Sequence, residues 1–396
     1  MKTALSNDVV RIVIVLLLLL GLKGLTAAEW PGGTLGSWNE TLFTTMANRD
    51  LNKEAREALT AGYYEGLINE GSRLSSMNRL VTDTRRPSWE DRSQPDRRQT
   101  FDFMFYELIP NSDIPDYQDE RFKYRLRTNS AGLADQEYTL EKPAGTRRLA
   151  IVGDSITRGQ GAPFQGNYEA LLERRLNEAH LTSDTTKYEI LNFAIGSYNV
   201  TQMMEAAIVR ATPYQPDVYV VALSDLSVYR RWDQHIAMLV YAGIDLKYDY
   251  LKDLIATTGL SADDPIGVFD AKLSRYRIPT IQWALEQVKQ HADAQGAEMV
   301  VLLVPTADDP ALLAEEFLGV REMLGTLGVP VVDLLGTFDG IDDRGRYRVS
   351  DGDRHPNAEG HQLLYEGLYE RLQSNAELRS AITGTAGESP SPARTQ

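Results

Sequence analysis

Five short apolar segments constrain the fold of this 396-residue chain more than any other feature. They occupy residues 149–152, 190–194, 218–223, 299–304 and 329–334. Strands that are buried on both faces have such nearly continuous apolar runs, whereas half-buried strands alternate. The intervening stretches have helical periodicity, clearest at residues 168–179 and 281–292. The pattern predicts a three-layer α/β/α sandwich around a parallel sheet of about five strands in flavodoxin-like order.

The amino terminus has the organisation of a secretory signal peptide. Lys2 and Arg11 precede an apolar run at residues 12–22, and small residues follow at 26–28. A charged start, a short apolar core and a small-residue cleavage site are typical of export signals. We therefore expect an exported protein, periplasmic or extracellular, with residues 1–28 removed. If the segment stays uncleaved, it is expected to anchor the chain to the membrane.

The remaining residues divide by composition and periodicity. Residues 29–98 are predicted to form an accessory helical region followed by a polar linker, and residues 99–146 a lead-in segment that packs on the main domain. The main α/β domain is expected at residues 147–376. Residues 377–396 end in a stretch rich in Gly, Ser and Pro and are predicted to be a disordered tail.

The composition excludes several classes of function. The chain has no cysteine, which excludes disulfides, thiol catalysis and iron–sulfur clusters. Its formal net charge of −15 argues against general nucleic-acid binding, which needs clustered Lys and Arg. Asp351 and Asp353 could bind a divalent metal, but the sequence has no second cluster of candidate ligands. Neither a metal nor a cofactor is therefore predicted.

Polar residues gather where the predicted strands end, and there they supply the parts of a nucleophilic site. Ser155 follows the first strand, and His355 precedes the last helix with Asp353 and Asp351 close by. A serine becomes a nucleophile when a histidine accepts its proton and a carboxylate orients that histidine. Since function gathers at the carboxyl ends of parallel strands, we expect Ser155 and His355 to meet there.

Two sequences resemble blocks of the SGNH/GDSL hydrolase superfamily. Gly-Asp-Ser-Ile at residues 153–156 is similar to its first block, and Asp-Arg-His-Pro-Asn-Ala-Glu-Gly-His at 353–361 to its fifth. The lead-in Arg-Thr-Asn-Ser-Ala-Gly-Leu at 127–133 also precedes this domain in many bacterial members. The resemblance covers roughly residues 123–375. No Gly-x-Ser-x-Gly sequence is present, which argues against the α/β-hydrolase fold.

The resemblance implies roles for several residues. Ser155 would be the nucleophile, and its own N–H one donor of the oxyanion hole. A second backbone donor is expected five residues after Asn192, which is Ser197 with Gly196 before it. The family's third donor is an Asn side chain, and Ser224 stands in its place. Either the Ser224 hydroxyl supplies that donor, or a nearby residue such as Asn199 compensates, or catalysis is expected to be weak.

The orienting carboxylate and the supporting residues also follow from the resemblance. The usual family position, three residues before the histidine, is Gly352 here. Asp353 is therefore the preferred partner of His355, and Asp351 the alternative. Asp154 is expected to stabilise the turn of the first block, and Asp225 is a candidate supporting residue.

Three functions remain open from the sequence. The first is a serine esterase or deacetylase that removes O-acyl groups, O-acetyl groups above all, from a small-molecule or polysaccharide substrate through an acyl-Ser155 intermediate. The second is an O-acyltransferase with the same three side chains. The third is a non-catalytic binding protein on a degenerate fold, which the departure at Ser224 suggests.

Overall fold

The computed structural model describes residues 29–30, 33–34, 95–118, 123–179, 186–229, 232–308 and 310–384. The chain separates into two compact units, and every described residue from 95 onward belongs to the second. In the first unit, β1 (Glu29–Trp30) pairs antiparallel with β2 (Gly33–Thr34). The predicted signal segment and most of the predicted accessory region lie outside the described residues, so both stay predictions.

Within the second unit, two further antiparallel strand pairs precede the main sheet. The first joins β3 (Arg97–Gln99) to β4 (Tyr106–Leu108), and the second joins β5 (Asp113–Gln118) to β6 (Lys123–Arg127). The strand β3 crosses the boundary that was expected between residues 98 and 99. The segment that packs on the main domain therefore includes residues that sequence analysis assigned to the linker, because pairing with β4 holds them in a hairpin.

A parallel sheet of five strands organises the second unit. The strands are β7 (Thr146–Val152), β8 (Lys187–Asn192), β9 (Val218–Ser224), β10 (Glu298–Val304) and β11 (Val331–Asp333). Their spatial order is β8, β7, β9, β10, β11, which is the flavodoxin-like order 2-1-3-4-5. The strands are almost wholly buried because helices cover both faces. The predicted three-layer fold is confirmed.

Helices fill the connections between the strands of the main sheet and also follow the last strand. They are α1 (Ser155–Arg158), α2 (Tyr168–Ala179), α3 (Val200–Glu205), α4 (Asp225–Tyr229), α5 (Trp232–Ala242), α6 (Asp249–Thr258), α7 (Ile266–Leu273), α8 (Arg277–Gln295), α9 (Pro310–Leu327), α10 (Ala358–Ser374) and α11 (Ala376–Thr383). A π-helical turn at Ala206–Ala211 continues α3. No helix in the described part of the chain has both the length and the apolar character needed to cross a bilayer.

The carboxyl-terminal prediction is wrong for residues 377–383, which form α11 rather than a disordered tail. Leu378, Ala381 and Ile382 follow helical spacing and are buried. The Asn375 side chain caps the helix by accepting a hydrogen bond from the backbone N–H of Leu378 at 3.0 Å. Gly384 ends the helix in the left-handed conformation, at φ 74°. The Gly, Ser and Pro composition begins only at that point.

We predict that α11 is needed for the stability of the domain. The Arg147 side chain on β7 donates to the carbonyl oxygens of Ala381 and Ile382, at 2.6 and 2.7 Å. A chain that stops after Asn375 loses these bonds and the burial of two large apolar side chains, each contributing ~1.5–3 kcal/mol. Urea denaturation should show a free energy of unfolding lower by about 3 kcal/mol or more. A chain that stops after Gly384 is the control and should match the full chain; equal stability of both truncations would contradict the assignment.

Candidate active site

Ser155 lies just beyond the carboxyl end of β7, the strand between β8 and β9, and begins the short helix α1. The Asp154 carboxylate caps that helix by accepting from the Ile156 backbone N–H at 3.0 Å. Gly153 has no room for a side chain, since a Cβ there would lie 2.6 Å from Cβ of Thr157. These local constraints turn the chain sharply after the strand and place the Ser155 hydroxyl at the edge of the sheet.

His355 reaches Ser155 from a loop that precedes α10. Backbone bonds tie this loop to itself: Val349 N–H donates to the carbonyl of His355, and Ser350 N–H to that of Asp353, at 3.0 and 3.2 Å. Nε2 of His355 lies 2.7 Å from Oγ of Ser155, although 200 positions separate the two residues. The structure therefore brings together the two residues that sequence analysis expected to meet.

Asp353 lies against the other ring nitrogen of His355. Its Oδ1 contacts Nδ1 of His355 and also accepts the His355 backbone N–H at 3.0 Å. Burial raises the pKa of Asp353, but the charge of His355 and the hydrogen bonds from it outweigh burial, so that this pKa lies below its ordinary value. The carboxylate is therefore ionised at neutral pH. Asp351, the alternative partner, is exposed.

These contacts define the direction in which protons can move. An ionised Asp353 accepts a hydrogen bond from Nδ1–H of His355, which keeps the proton of a neutral imidazole on that nitrogen. Nε2 is then the acceptor for the Ser155 hydroxyl. Ser155 and His355 are both buried, with 0% and 3% of their surface exposed. The arrangement can therefore take a proton from a serine hydroxyl in a site with little competing water.

The turn after β8 carries the two residues that were expected to supply a backbone oxyanion donor. An ideal Cβ built on Gly196 would lie 3.8 Å from Cβ of Ser155, so this turn runs beside the serine. Ser197 adopts the left-handed conformation at φ 71°. No described residue accepts a hydrogen bond from its N–H. The turn therefore needs a positive φ at position 197, a conformation that favours glycine, although the residue there is a serine.

Ser224 does not take the role that sequence analysis gave it. Its hydroxyl donates to the Asp154 carboxylate, and its Oγ accepts from the Ser227 backbone N–H at 3.2 Å. The single hydroxyl proton is used in that bond, which links the end of β9 to the turn after β7. Ser224 therefore stabilises the turn that carries Ser155, and the expectation that it donates to an oxyanion is wrong.

The other supporting candidates also have local roles. The Asn199 side chain caps α3, accepting from the backbone N–H groups of Thr201 and Gln202 at 3.0 and 3.3 Å. Its amide nitrogen donates to Oε1 of Gln202 at 3.0 Å, so the side chain is engaged within its own helix rather than directed at an oxyanion. The Asp225 carboxylate accepts from the backbone and hydroxyl of Thr306, at 3.2 and 3.0 Å, and ties the ends of β9 and β10 together. Neither residue contacts Ser155 or His355 in the described hydrogen-bond network.

Two buried arginines beside the serine were missed by sequence analysis. Nη2 of Arg97 and Nε of Arg158 lie 3.6 and 3.7 Å from the Cβ position of Gly196. Arg158 could have been found, because it lies one helical turn after Ser155. Nothing in the sequence marks Arg97, whose position near the serine depends on how the β3–β4 hairpin packs.

Asn192 connects the elements beneath the site. Its side-chain amide donates to the Thr157 carbonyl at 2.8 Å and to Oε1 of Glu169 at 2.9 Å. Its Oδ1 accepts from the Ala194 backbone N–H at 3.0 Å. One side chain therefore fixes α1, the start of α2 and the turn after β8 relative to one another.

Glu169 belongs to a buried group of carboxylates that was also missed. Burial, and then the negative charges of Asp135 and Glu173, raise the pKa of Glu169 well above its ordinary value. Burial and Glu173 likewise raise the pKa of Asp135 to about 7. In the folded protein these acids hold protons at pH values where the unfolded chain has lost them.

At the carboxyl edge of a flavodoxin-like sheet, Ser155, His355 and Asp353 form one hydrogen-bonded series, an arrangement typical of hydrolases that use a serine nucleophile. The profile of the GDSL-like Lipase/Acylhydrolase family matches residues 151–363, which is more than half of the chain. The chain belongs to this family and is an SGNH-type ester hydrolase. A comparison with curated proteins finds no match.

Several solved structures are similar in fold. TesA is 16% identical, with a TM-score of 0.39, and the alignment covers 58% of this chain and 99% of TesA. Axe2, an acetylxylan esterase from Geobacillus stearothermophilus, is 14% identical, with a TM-score of 0.38 and coverage of 57% and 94%. A two-domain esterase (CEX) active on acetylated mannans is 13% identical, with a TM-score of 0.39 and coverage of 63% and 53%.

We predict that the buried acids make the protein less stable as pH rises. A carboxyl whose folded pKa is raised contributes stability that is complete below its unfolded pKa, about 4, and is lost as pH rises through the folded value. Glu169→Gln keeps an oxygen to accept from Asn192 and Asn167 but cannot ionise. Relative to wild type, it should gain about 1 kcal/mol or more in free energy of unfolding between pH 4.5 and pH 8.

Urea denaturation at the two pH values measures this gain. Glu178→Gln is the matched control, because Glu178 is exposed on the same helix. A pH-independent difference between Glu169→Gln and wild type would show that Glu169 is ionised in the folded protein.

Proposed function

We propose that the protein hydrolyses O-acyl esters through a covalent acyl-Ser155 intermediate. The observation that carries the proposal is the hydrogen-bonded series from Asp353 through His355 to Ser155. A buried serine, a histidine with its acceptor nitrogen on the hydroxyl and an ionised carboxylate on its other nitrogen are the parts that nucleophilic catalysis needs.

In the proposed reaction, Oγ of Ser155 attacks the ester carbonyl as Nε2 of His355 takes the hydroxyl proton. The tetrahedral oxyanion is stabilised by backbone N–H groups, with those of Ser155 and Ser197 as the candidates. His355 then returns the proton to the departing alkoxide. A water molecule, deprotonated by the same nitrogen, then attacks the acyl-Ser155 ester, and the acid leaves as His355 returns that proton to Oγ of Ser155. Asp353 stabilises the imidazolium that forms twice in the cycle.

A short acyl group suits the surroundings of Ser155. The Cβ position of Gly196 lies at ordinary van der Waals distance, 3.6–3.8 Å, from Arg97, Arg158 and Ser155. Two arginine side chains thus pack around Gly196 beside the nucleophile, and this crowding supports a short transferred group such as acetyl. Because Ser155 has no exposed surface, the ester can reach Oγ only after neighbouring groups move.

The proposed substrate class is an O-acetylated carbohydrate outside the cytoplasm. The amino-terminal sequence supports export, with its charged start, apolar run at residues 12–22 and small residues at 26–28. An exported ester hydrolase meets polysaccharides, whose hydroxyl groups carry O-acetyl esters. The polar and cationic groups around Gly196 favour such a substrate over a long acyl chain.

We predict that Ser155→Ala abolishes ester hydrolysis and leaves the fold intact. The variant removes the nucleophile, so kcat on 4-nitrophenyl acetate should fall by about a thousandfold or more. The free energy of unfolding should change by about 1 kcal/mol or less, since the hydroxyl's hydrogen bond to His355 contributes about that much. Spectrophotometric assays of ester hydrolysis measure kcat, and urea denaturation measures the free energy of unfolding.

Ser274→Ala, at an exposed serine, is the control and should keep wild-type activity. Retention of most activity by Ser155→Ala would show that another group is the nucleophile. Turnover that appears only when a sugar alcohol is added would indicate acyl transfer in place of hydrolysis. Absence of turnover in the wild type on acetyl esters of both phenols and sugars would favour the binding protein.

A further inference from the structure

The Gly196–Ser197 peptide is held from outside the main domain. Its carbonyl oxygen accepts two hydrogen bonds, one from Nη1 of Arg97 and one from the Tyr106 hydroxyl, both at 3.2 Å. Both donors lie on the β3–β4 hairpin, about 90 residues or more before the peptide. In a trans peptide the C=O and N–H bonds point in opposite directions. Fixing the carbonyl on the hairpin side therefore directs the Ser197 N–H away from the hairpin.

Arg97 is itself held in one orientation. Its Nε and Nη2 donate to the Asp96 carboxylate at 3.0 and 2.7 Å, and its guanidinium lies 5.2 Å from the centre of the Tyr106 ring. Burial raises the pKa of Asp96, but the hydrogen bonds and charge of Arg97 prevail and keep the acid ionised. The Arg97 side chain is only 4% exposed. An ordered, charged donor of this kind polarises the peptide that it contacts.

The hairpin and the turn are also joined by contacts that do not involve the peptide itself. The Tyr198 hydroxyl donates to the carbonyl of Tyr106 at 2.8 Å, and the two rings pack with centres 5.3 Å apart. The Gln202 side chain donates to the carbonyl of Met104 at 2.8 Å. These contacts keep the hairpin in place when a single donor to Gly196 is removed, which makes the two hydrogen bonds separately testable.

Two features make the Ser197 N–H depend on such support. A serine at φ 71° sits in a conformation that is unfavourable for a residue with a side chain, by roughly 1–2 kcal/mol. The Ser224 hydroxyl is bonded to Asp154 and gives no side-chain donor at this edge of the sheet. The stabilisation of an oxyanion then rests on fewer donors, so the position and strength of each matters more.

We infer that Arg97 and Tyr106 are positioning residues for the oxyanion hole. By binding the Gly196 carbonyl, they hold Ser197 in its left-handed conformation, orient its N–H toward the reacting carbonyl and strengthen it as a donor. A peptide that accepts a hydrogen bond at its oxygen donates more strongly at its nitrogen. The inference rests on the proposed function, because it assigns a catalytic use to that N–H. It also gives the β3–β4 hairpin a part in the chemistry.

Two conservative variants test the inference. Tyr106→Phe removes one donor and keeps the ring on Tyr198, and Arg97→Lys keeps the charge and one donor but loses the paired geometry. With 4-nitrophenyl acetate, we expect each to lower kcat about tenfold, a change of about 1.4 kcal/mol in the barrier. KM should change less than about twofold, since the N–H acts in the transition state. Arg98→Gln is the matched control, on the same strand but 57% exposed and bonded to Glu107.

A spectroscopic readout separates this inference from the proposed function. In protein labelled with ¹⁵N-serine, the Ser197 amide resonance, assigned by its loss in Ser197→Gly, should shift in Tyr106→Phe. The same shift is expected in a Ser155→Ala background, where no turnover is required. Unchanged kcat in both variants, an unmoved Ser197 resonance, or a fall in kcat matched by a lower melting temperature would each overturn the inference. Failure of Ser155→Ala to lose activity would overturn only the nucleophile assignment.

Discussion

The hydrogen bond between Ser155 and His355 depends on the order of the strands in the sheet. The strand β7, between β8 and β9, delivers Ser155 to the carboxyl edge, and the loop before α10 returns His355 to the same edge after 200 residues. A parallel sheet makes this meeting possible because all its strands end on one side. A fold that moved either loop by a few ångströms would leave a serine without a base.

A set of buried polar contacts fixes the positions of these loops relative to one another. Asn192 ties α1 to α2 and to the turn after β8, while Ser224 ties the end of β9 to the Asp154 turn. Burial of so many polar groups is tolerated because the groups bond to one another, yet it leaves carboxyls such as Glu169 with raised pKa values. These contacts therefore fix the geometry of the site and also make the stability of the domain fall as pH rises above about 4.

The sequence predicted the sheet, its strand order and the pairing of Ser155 with His355, because apolar runs and short motifs are local signals. It failed where a side chain's role depends on which neighbour it bonds in the folded chain. The Ser224 hydroxyl turns to Asp154, and the Asn199 amide caps its own helix. Arg97 carries no motif, and only the packed hairpin brings it to Gly196. The helix α11 was missed because the composition of the last residues was applied too far upstream.

Covalent labelling tests the central claim, that His355 and Asp353 make Ser155 a nucleophile. The rate of reaction with an alkyl fluorophosphonate is followed by intact mass spectrometry, and the modified peptide is then sequenced. The account predicts one adduct, on Ser155, formed at similar rates in wild type and Asp351→Asn but about a hundredfold or more slower in Asp353→Asn. An adduct on another residue, or equal rates for the two Asn variants, would contradict it.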